Sequence, residues 1–167
     1  NPRDSRLVVR GLSQAIETEV FDTMADTSTQ LHVRWLGRVP YAEALAVQDA
    51  MFRHGTGNRL LLMEHPHVFT YGPSADLKKN LRCDPAAVGA DFVRVKRGGD
   101  ITYHGPGQLV GYPLVNLQPK RGNDGPADSV AYVCSVEKVI IDSLHEIGLT
   151  NAGRFAGYPG VWLDVDT

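Results

Sequence analysis

Between Val95 and Val110 the chain reads VKRGGDITYHGPGQLV, with Arg97, Asp100, Thr102, Tyr103, His104 and Gln108 set among Gly98, Gly99, Gly105 and Gly107. Glycines clustered in this way let a backbone approach a ligand closely and take positive φ. Among them, Arg97 offers a fork of hydrogen bonds to a carbonyl or phosphate. His104 offers an imidazole that titrates near neutrality or holds a substrate oxygen. The same residues also fit a plainer arrangement: a turn joining two strands, with Arg97 paired to Asp100 and His104 a satisfied structural histidine. The order GxxxxGK(S/T) is missing, so this is no Walker phosphate loop.

Other reactive side chains are sparser. His65-Pro66-His67 puts two imidazoles on one side of an extended segment, but no third metal ligand is evident beside them, and neither a metal nor a cofactor is expected. Cys134 reads as a small buried hydrophobe on a helix. Cys83 lies near Lys78, Lys79 and Arg82, a setting that lowers a thiol pKa, yet no base accompanies it in sequence. Both cysteines read as inert, and His54 and His145 as solvated on helix faces. The basic groups Lys78-Lys79-Arg82, Arg94-Lys96-Arg97 and Lys120-Arg121 suit either an acidic partner or ordinary surface.

The elements that must position these residues begin clearly at Leu31. LHVRWL alternates Leu31, Val33 and Trp35 against His32 and Arg34, which predicts a half-buried strand. Pro40 opens a helix whose apolar face is traced by Tyr41, Ala44, Leu45, Gln48 and Phe52, ending at Gly55 and Gly57. RLLLME predicts a buried strand closed by His65-Pro66, and VFTY a short one ending at Gly72-Pro73. DLKKNLRC reads as loop, and Asp84-Pro85 as the start of a helical turn through Val88. Strands are expected at Phe92–Val95 and in LVGYPLV, with a polar connector over 118–127. The longest helix starts at Asp128, carries Val130, Val133, Val136 or Glu137, Ile140, Ile141, Leu144 and Ile147 along one stripe, and stops at Gly148. NAGRFAGYPG reads as a turn-rich link into the strand GVWLDV. Before all this, a weak helix is expected over Gln14 to Met24, in a peripheral arm of residues 1–30.

Composition bounds the class. The 167 residues (18.3 kDa) fit one globular domain, and 43% hydrophobic with 22% charged residues is wrong for a disordered chain. A net charge of −2 argues against a dedicated nucleic-acid binder. No apolar run approaches the roughly 20 residues of a membrane span, no secretory h-region opens the chain, and two cysteines without CxxC spacing fit a reducing cytoplasm. The expected fold is a single α/β (α+β) domain, a mixed sheet packed by helices. Strand–helix alternation is too irregular for a doubly wound dinucleotide fold, and no GxGxxG follows a strand.

Taken together, LLLMEHPHVFTYG, RGGDITYHGPGQLVGYPLV and GRFAGYPGVWL closely resemble the lipoyl(octanoyl) transferases, in matching order from about Leu31 to Leu163. The resemblance implies the biotin/lipoate protein ligase-like fold and an acyl transfer in lipoate biosynthesis and protein lipoylation. An octanoyl chain passes from acyl carrier protein to an enzyme cysteine. It then passes to a lysine of a lipoyl domain, in the 2-oxoacid dehydrogenase complexes or the glycine cleavage H protein. By the same resemblance the substrate-binding residues are Arg97, Gly98, Gly99, Asp100, Ile101, Thr102, Tyr103 and His104, and Gly105 to Gln108 continue the wall. Residues 1–30 then form an N-terminal extension, and 31–167 the N-terminal portion of the catalytic domain.

The family's nucleophilic cysteine lies in a Pro-Cys-Gly segment downstream of the Gly-Val-Trp strand, and its lysine just after that strand. Neither position occurs here, so no catalytic residue is assigned, Cys83 and Cys134 are not drafted into the role, and the 167-residue chain alone is expected to be inactive. Pro73 stands where relatives usually carry a basic or polar residue. The alternatives are a lipoate-protein ligase or amidotransferase of the same superfamily, marked by ATP dependence, and a non-catalytic fragment that binds acyl groups or lipoyl domains.

Overall fold

A computed structural model of the chain describes residues 30–117 and 127–164. The arm expected over 1–30, with its helix at Gln14 to Met24, lies outside the described residues apart from Gln30, as does nearly all of the connector at 118–127. The chain divides into two compact units, one reaching Val115 and the other starting at Asn116.

The first unit is built on two three-stranded sheets. In one, β1 (Leu31–Arg38) runs parallel to β2 (Asn58–Glu64), and β2 pairs antiparallel with β6 (Val110–Leu114). Helix α1 (Tyr41–His54) makes the crossover that parallel pairing of β1 and β2 requires. Strict alternation along β2 buries Leu61 and Met63 completely and leaves Leu60 and Leu62 half-buried. Leu61 and Met63 form the core with Val39 and Ala44, and Leu36, Val47, Met51, Val110, Tyr112 and Leu114 pack around them.

Three expectations are corrected here. The face of α1 that packs is Ala44, Val47 and Met51; Leu45 is exposed and Phe52 is 83% exposed, so the apolar stripe is turned from the predicted one. Gln48 belongs on that face because its Nε2 donates to the Ala44 carbonyl at 3.1 Å. On β1, the face of Leu31, Val33 and Trp35 expected to be buried is exposed, at 51, 52 and 58%. The register sets Val33 beside Leu60 and Trp35 beside Leu62, the side of the sheet opposite to the Leu61–Met63 core. Pro40 caps α1 and does not enter it, its carbonyl accepting from Ala44 N–H.

The second sheet is inserted between β2 and β6. Its central strand β3 (Val68–Tyr71) pairs parallel with β4 (Asp91–Arg94) and antiparallel with β5 (Ile101–His104). Val68 and Thr70 are buried on the face shared with Thr102 and His104. The other face carries the ring pairs Tyr71–Phe92 and Phe69–Tyr103, with centroids 4.5 and 5.1 Å apart. Between β3 and β4, Leu77–Asn80 forms a short helix, α2, where loop was expected, because the Asp76 side chain accepts from Lys79 N–H and caps it. The turn at Ala86–Val88 follows its prediction, capped by Asp84 and ended by Gly89 at φ +67°.

In the second unit α3 (Ser129–Glu146) is capped by Asp128, which accepts from Ala131 N–H, and is followed by Gly148 at φ +94°. The supposed link is itself half a hairpin: β7 (Ala152–Phe155) turns through Ala156-Gly157 into β8 (Tyr158–Leu163). Phe155 and Tyr158 stack across that turn at 5.2 Å, and Gly157 takes φ +84°. The helix holds the hairpin through Glu137, which is buried and accepts from Arg154 Nε at 2.8 Å and from Gly160 N–H at 2.8 Å. His145 is not merely solvated, since its Nε2 meets the Ala152 carbonyl at 3.0 Å. Cys134 is exposed, against the expectation of burial, because Glu137 occupies the buried position of the stripe. Among the described residues no helix is long and apolar enough to cross a membrane.

Candidate functional site

The inner face of the β4-β3-β5 sheet is organised by Arg97. Its Nη2 donates to the Thr70 carbonyl (3.1 Å), Thr70 Oγ1 (2.9 Å) and Thr102 Oγ1 (2.7 Å), while Nη1 donates to the carbonyls of Gly98 and Asp100 at 3.0 and 3.1 Å. One planar fork thereby ties the glycine turn to the two strands beneath it. The Asp100 carboxylate is spent on Ile101 N–H at 2.8 Å and on the Asn80 amide, so the predicted surface pair with Arg97 runs through backbone. Gly99 takes φ +86°, which favours glycine. Gly72, at the end of β3, lies against this turn: a Cβ there would stand 2.6 Å from the Arg97 carbonyl oxygen and 2.7 Å from that of Gly99.

Where β5 ends, a ring cluster forms. His104 stacks on Tyr41 (6.3 Å, 11°) and meets His65 edge-on at 5.7 Å, and His65 in turn contacts the Tyr41 and Tyr112 rings. His65 is fully buried, with Nδ1 2.7 Å from the Val39 carbonyl and Nε2 2.8 Å from the Tyr112 hydroxyl. A carbonyl only accepts, so Nδ1 carries the proton and Nε2 accepts from the phenol. Burial pushes the His65 pKa below the ordinary histidine value, against the pull of the Val39 carbonyl, and His104 adds to the depression. Tyr112 is pushed up to about 12 by burial, with Tyr41 adding to the rise and a hydrogen bond to Gln48 opposing it. It therefore stays a phenol and keeps donating. Burial also raises Tyr41, against the positive charge of Arg97.

His104 is held differently. Its Nδ1 donates to Gln108 Oε1 at 2.7 Å, and among the described residues Nε2 has no partner. This ring thus presents one unspent nitrogen on the inner face. The segment that carries it is clamped to the EHP segment: the Glu64 carboxylate accepts from Gly107 N–H, which with the Arg38 guanidinium at 3.1 Å holds its pKa below the usual range. Gly107 takes φ +85° to aim that N–H.

The predicted site residues divide by strand alternation. Arg97, Thr102 and His104 come together on the inner face. Tyr103 lies on the other face, where its hydroxyl meets His67 Nδ1 at 2.5 Å, and Ile101 is opposite Tyr71 there. Gly98, Gly99 and Asp100 form the turn between. His65 and His67 do not act as a pair, since both nitrogens of His65 are occupied. Sequence reasoning missed Tyr41, Glu64, Thr70, Gly72 and Tyr112 as parts of the site. Only Gly72, a glycine ending a strand, carried a local signal. In the second unit, an apolar cavity of about 550 Å³ opens between α3 and the hairpin beside Val130, Val133, Phe155 and Tyr158.

Comparison with known proteins places this arrangement. An octanoyltransferase of Solibacter usitatus is 44% identical over 137 residues, covering 78% of this chain and 60% of its own length. One from Acidobacterium capsulatum is 42% identical over 140 residues, covering 79% and 56%. The chain thus spans about three fifths of the length of these curated relatives. Among solved structures, a lipoate protein ligase from Thermoplasma acidophilum with bound lipoic acid is similar with a TM-score of 0.60 at 18% identity, over 77% of this chain and 53% of that one. Lipoate-protein ligase A bound with ATP gives 0.54 at 18%, over 76% and 50%. At such identities the likeness shows the fold alone, which is the expected biotin/lipoate protein ligase-like one. Residues 40–166 match the model for the lipoyl protein ligase A/B catalytic domain, and the chain belongs to that family.

Proposed function

We propose that this chain supplies the acyl-binding wall of an octanoyltransferase, with the catalytic domain beginning at residue 31. In the overall reaction a cysteine thiolate attacks octanoyl-S-phosphopantetheine on acyl carrier protein, and the pantetheine thiol leaves. A lipoyl-domain lysine then attacks the acyl-enzyme: its C–N bond forms, the C–S bond breaks, and the amine gives up a proton. The acceptors are lipoyl domains of 2-oxoacid dehydrogenase complexes and the glycine cleavage H protein, in the cytoplasm, where cysteines such as Cys83 and Cys134 stay reduced.

The observation that carries this reading is the closure of the EHP and HGPGQ segments into one cluster that leaves His104 Nε2 unspent beside the Arg97-locked turn. Arg97 acts by holding the turn Gly98–Asp100 and Thr102 in place, so that backbone and not a long side chain faces the acyl group. With its Nδ1–H held by Gln108, His104 accepts a hydrogen bond from the incoming amine at Nε2. The buried His65–Tyr112 pair fixes the floor beneath it.

The test is transfer from octanoyl-acyl carrier protein to an apo-lipoyl domain without ATP, with the full-length protein. The expected result is a gain of one octanoyl group in the intact mass of the lipoyl domain, abolished when its target lysine is replaced by arginine. Modification only with free octanoate, ATP and magnesium would replace this reading with a ligase; no modification under either condition would overturn both.

A further inference from the structure

Cations are distributed unevenly over the described residues. Arg38, Arg53, Lys138 and Arg154 pair with carboxylates, Arg59 and Arg97 donate to backbone or hydroxyl oxygens, and Arg34 has a partner of its own. The side chains of the remaining five, Lys78, Lys79, Arg82, Arg94 and Lys96, have no hydrogen-bond or ion-pair partner among the described residues, and all five are exposed. They fall within 19 consecutive residues of a chain whose net charge is −2. Over 78–96 these five cations stand against two acids, Asp84 and Asp91, which leaves an excess of three positive charges, and among the described residues no carboxylate ion-pairs with any of the five.

These cations bracket the glycine turn. Helix α2, which carries Lys78 and Lys79, is fastened to it by Asn80, whose amide donates to the Asp100 carboxylate. Ser74, just before α2, lies 3.5 Å from the Gly99 carbonyl. Arg94 ends β4, and Lys96 immediately precedes Arg97. An unpaired cation costs the fold little at the surface but acts at a distance on whatever approaches.

We infer that the surface formed by Lys78, Lys79, Arg82, Arg94 and Lys96 docks the acyl donor, a carrier protein presenting negative charge around a phosphodiester-linked thioester arm. This rests on the octanoyltransferase reading. The chemistry separates donor from acceptor: the donor's arm carries an anionic phosphodiester, whereas the acceptor must bring a lysine, which is cationic before it reacts. A rim of unpaired positive charge attracts the first and repels the second, so it serves the first half-reaction. Charges of this kind act mainly on the association rate and lose their effect as salt screens them.

The experiment compares two octanoyl donors in the full-length protein: octanoyl-acyl carrier protein, and octanoyl-pantetheine, which lacks both carrier and phosphate. The variants are Lys78→Glu/Lys79→Glu/Arg82→Glu and, separately, Arg94→Glu/Lys96→Glu. Each is expected to lower kcat/KM for the carrier donor about tenfold or more at low salt, with the difference shrinking at high salt. The octanoyl-pantetheine rate and the KM for the lipoyl domain should stay unchanged, which also reports that the variants are folded. Equal losses with both donors, an unaltered carrier rate, or a rise confined to the lipoyl-domain KM would overturn the assignment. No transfer from either donor by the unaltered protein would instead remove the octanoyltransferase reading beneath it.

Discussion

Gly72 lies against the backbone of Arg97, closely enough that a Cβ in its place would stand 2.6 Å from the Arg97 carbonyl oxygen. No side chain rotation relieves a contact between Cβ and backbone, so Gly72→Ala must displace the turn. We expect kcat/KM for the acyl donor to fall on the order of 10²-fold, as for other misplacements of about 1 Å. The fold itself should lose only about 1–3 kcal/mol. Steady-state kinetics and urea unfolding on the same variant check both figures; intact kinetics would show that the turn does not shape the site.

Arg97→Lys is not a conservative change here. A lysine places one ammonium where the guanidinium reaches Thr70, Thr102, Gly98 and Asp100 together. The variant should lose about 1–3 kcal/mol in denaturant unfolding and show a raised KM for the octanoyl donor, the outcome also expected of Arg97→Ala. Rescue by lysine would mean that charge, and not the fork, is what matters.

His104→Ala should slow acyl transfer by roughly 10²-fold or more while the melting temperature falls little, since its one side-chain hydrogen bond is to Gln108 and its ring contacts are with Tyr41 and His65. Labelling by an octanoyl thioester, followed in single turnovers, reads the rate directly. Tyr41→Leu removes the ring packed on His104 and His65 but no hydrogen-bonding group of His104, and should have a smaller effect.

The pH dependence of stability follows from His65. Its folded pKa is depressed, so between that value and the ordinary one of about 6.5 the unfolded chain binds a proton that the folded chain does not. Stability should therefore be full above about pH 6.5, fall as the pH drops, and level off below the folded pKa. Urea midpoints collected between about pH 8 and pH 5 should show this slope, and His65→Asn, which has no proton to gain, should flatten it.

Local chemistry made much of this legible in sequence. The alternation of RLLLME, the Asp128 cap with its terminal Gly148, and the glycine turn before His104 all rest on neighbours within a few residues. What sequence concealed depends on contacts across the chain. Val33 and Trp35 alternate as a half-buried strand should, but which side α1 covers is decided by the register with Leu60 and Leu62. Thr70 looks like an unremarkable strand residue until it meets Arg97 beside Thr102. Tyr41 reads as one more residue of the helix's apolar face until its ring is found against His104. In the second unit, a buried Glu137 is intelligible only once Arg154 and Gly160 are seen to satisfy it.

The insertion of the whole second sheet between β2 and β6 has a kinetic consequence. Pairs that define the cluster are distant in sequence: Val39 and His65 are 26 residues apart, Thr70 and Thr102 32, and His65 and Tyr112 47. Closing such loops costs entropy before their contacts return any stability, and chains dominated by non-local pairing fold slowly for that reason. β6 completes its sheet only by closing the whole inserted stretch back onto β2, so Tyr112 is expected to reach His65 late. The ring cluster is then among the last features to gain hydrogen-exchange protection on refolding, well after α1 has formed on its own local contacts.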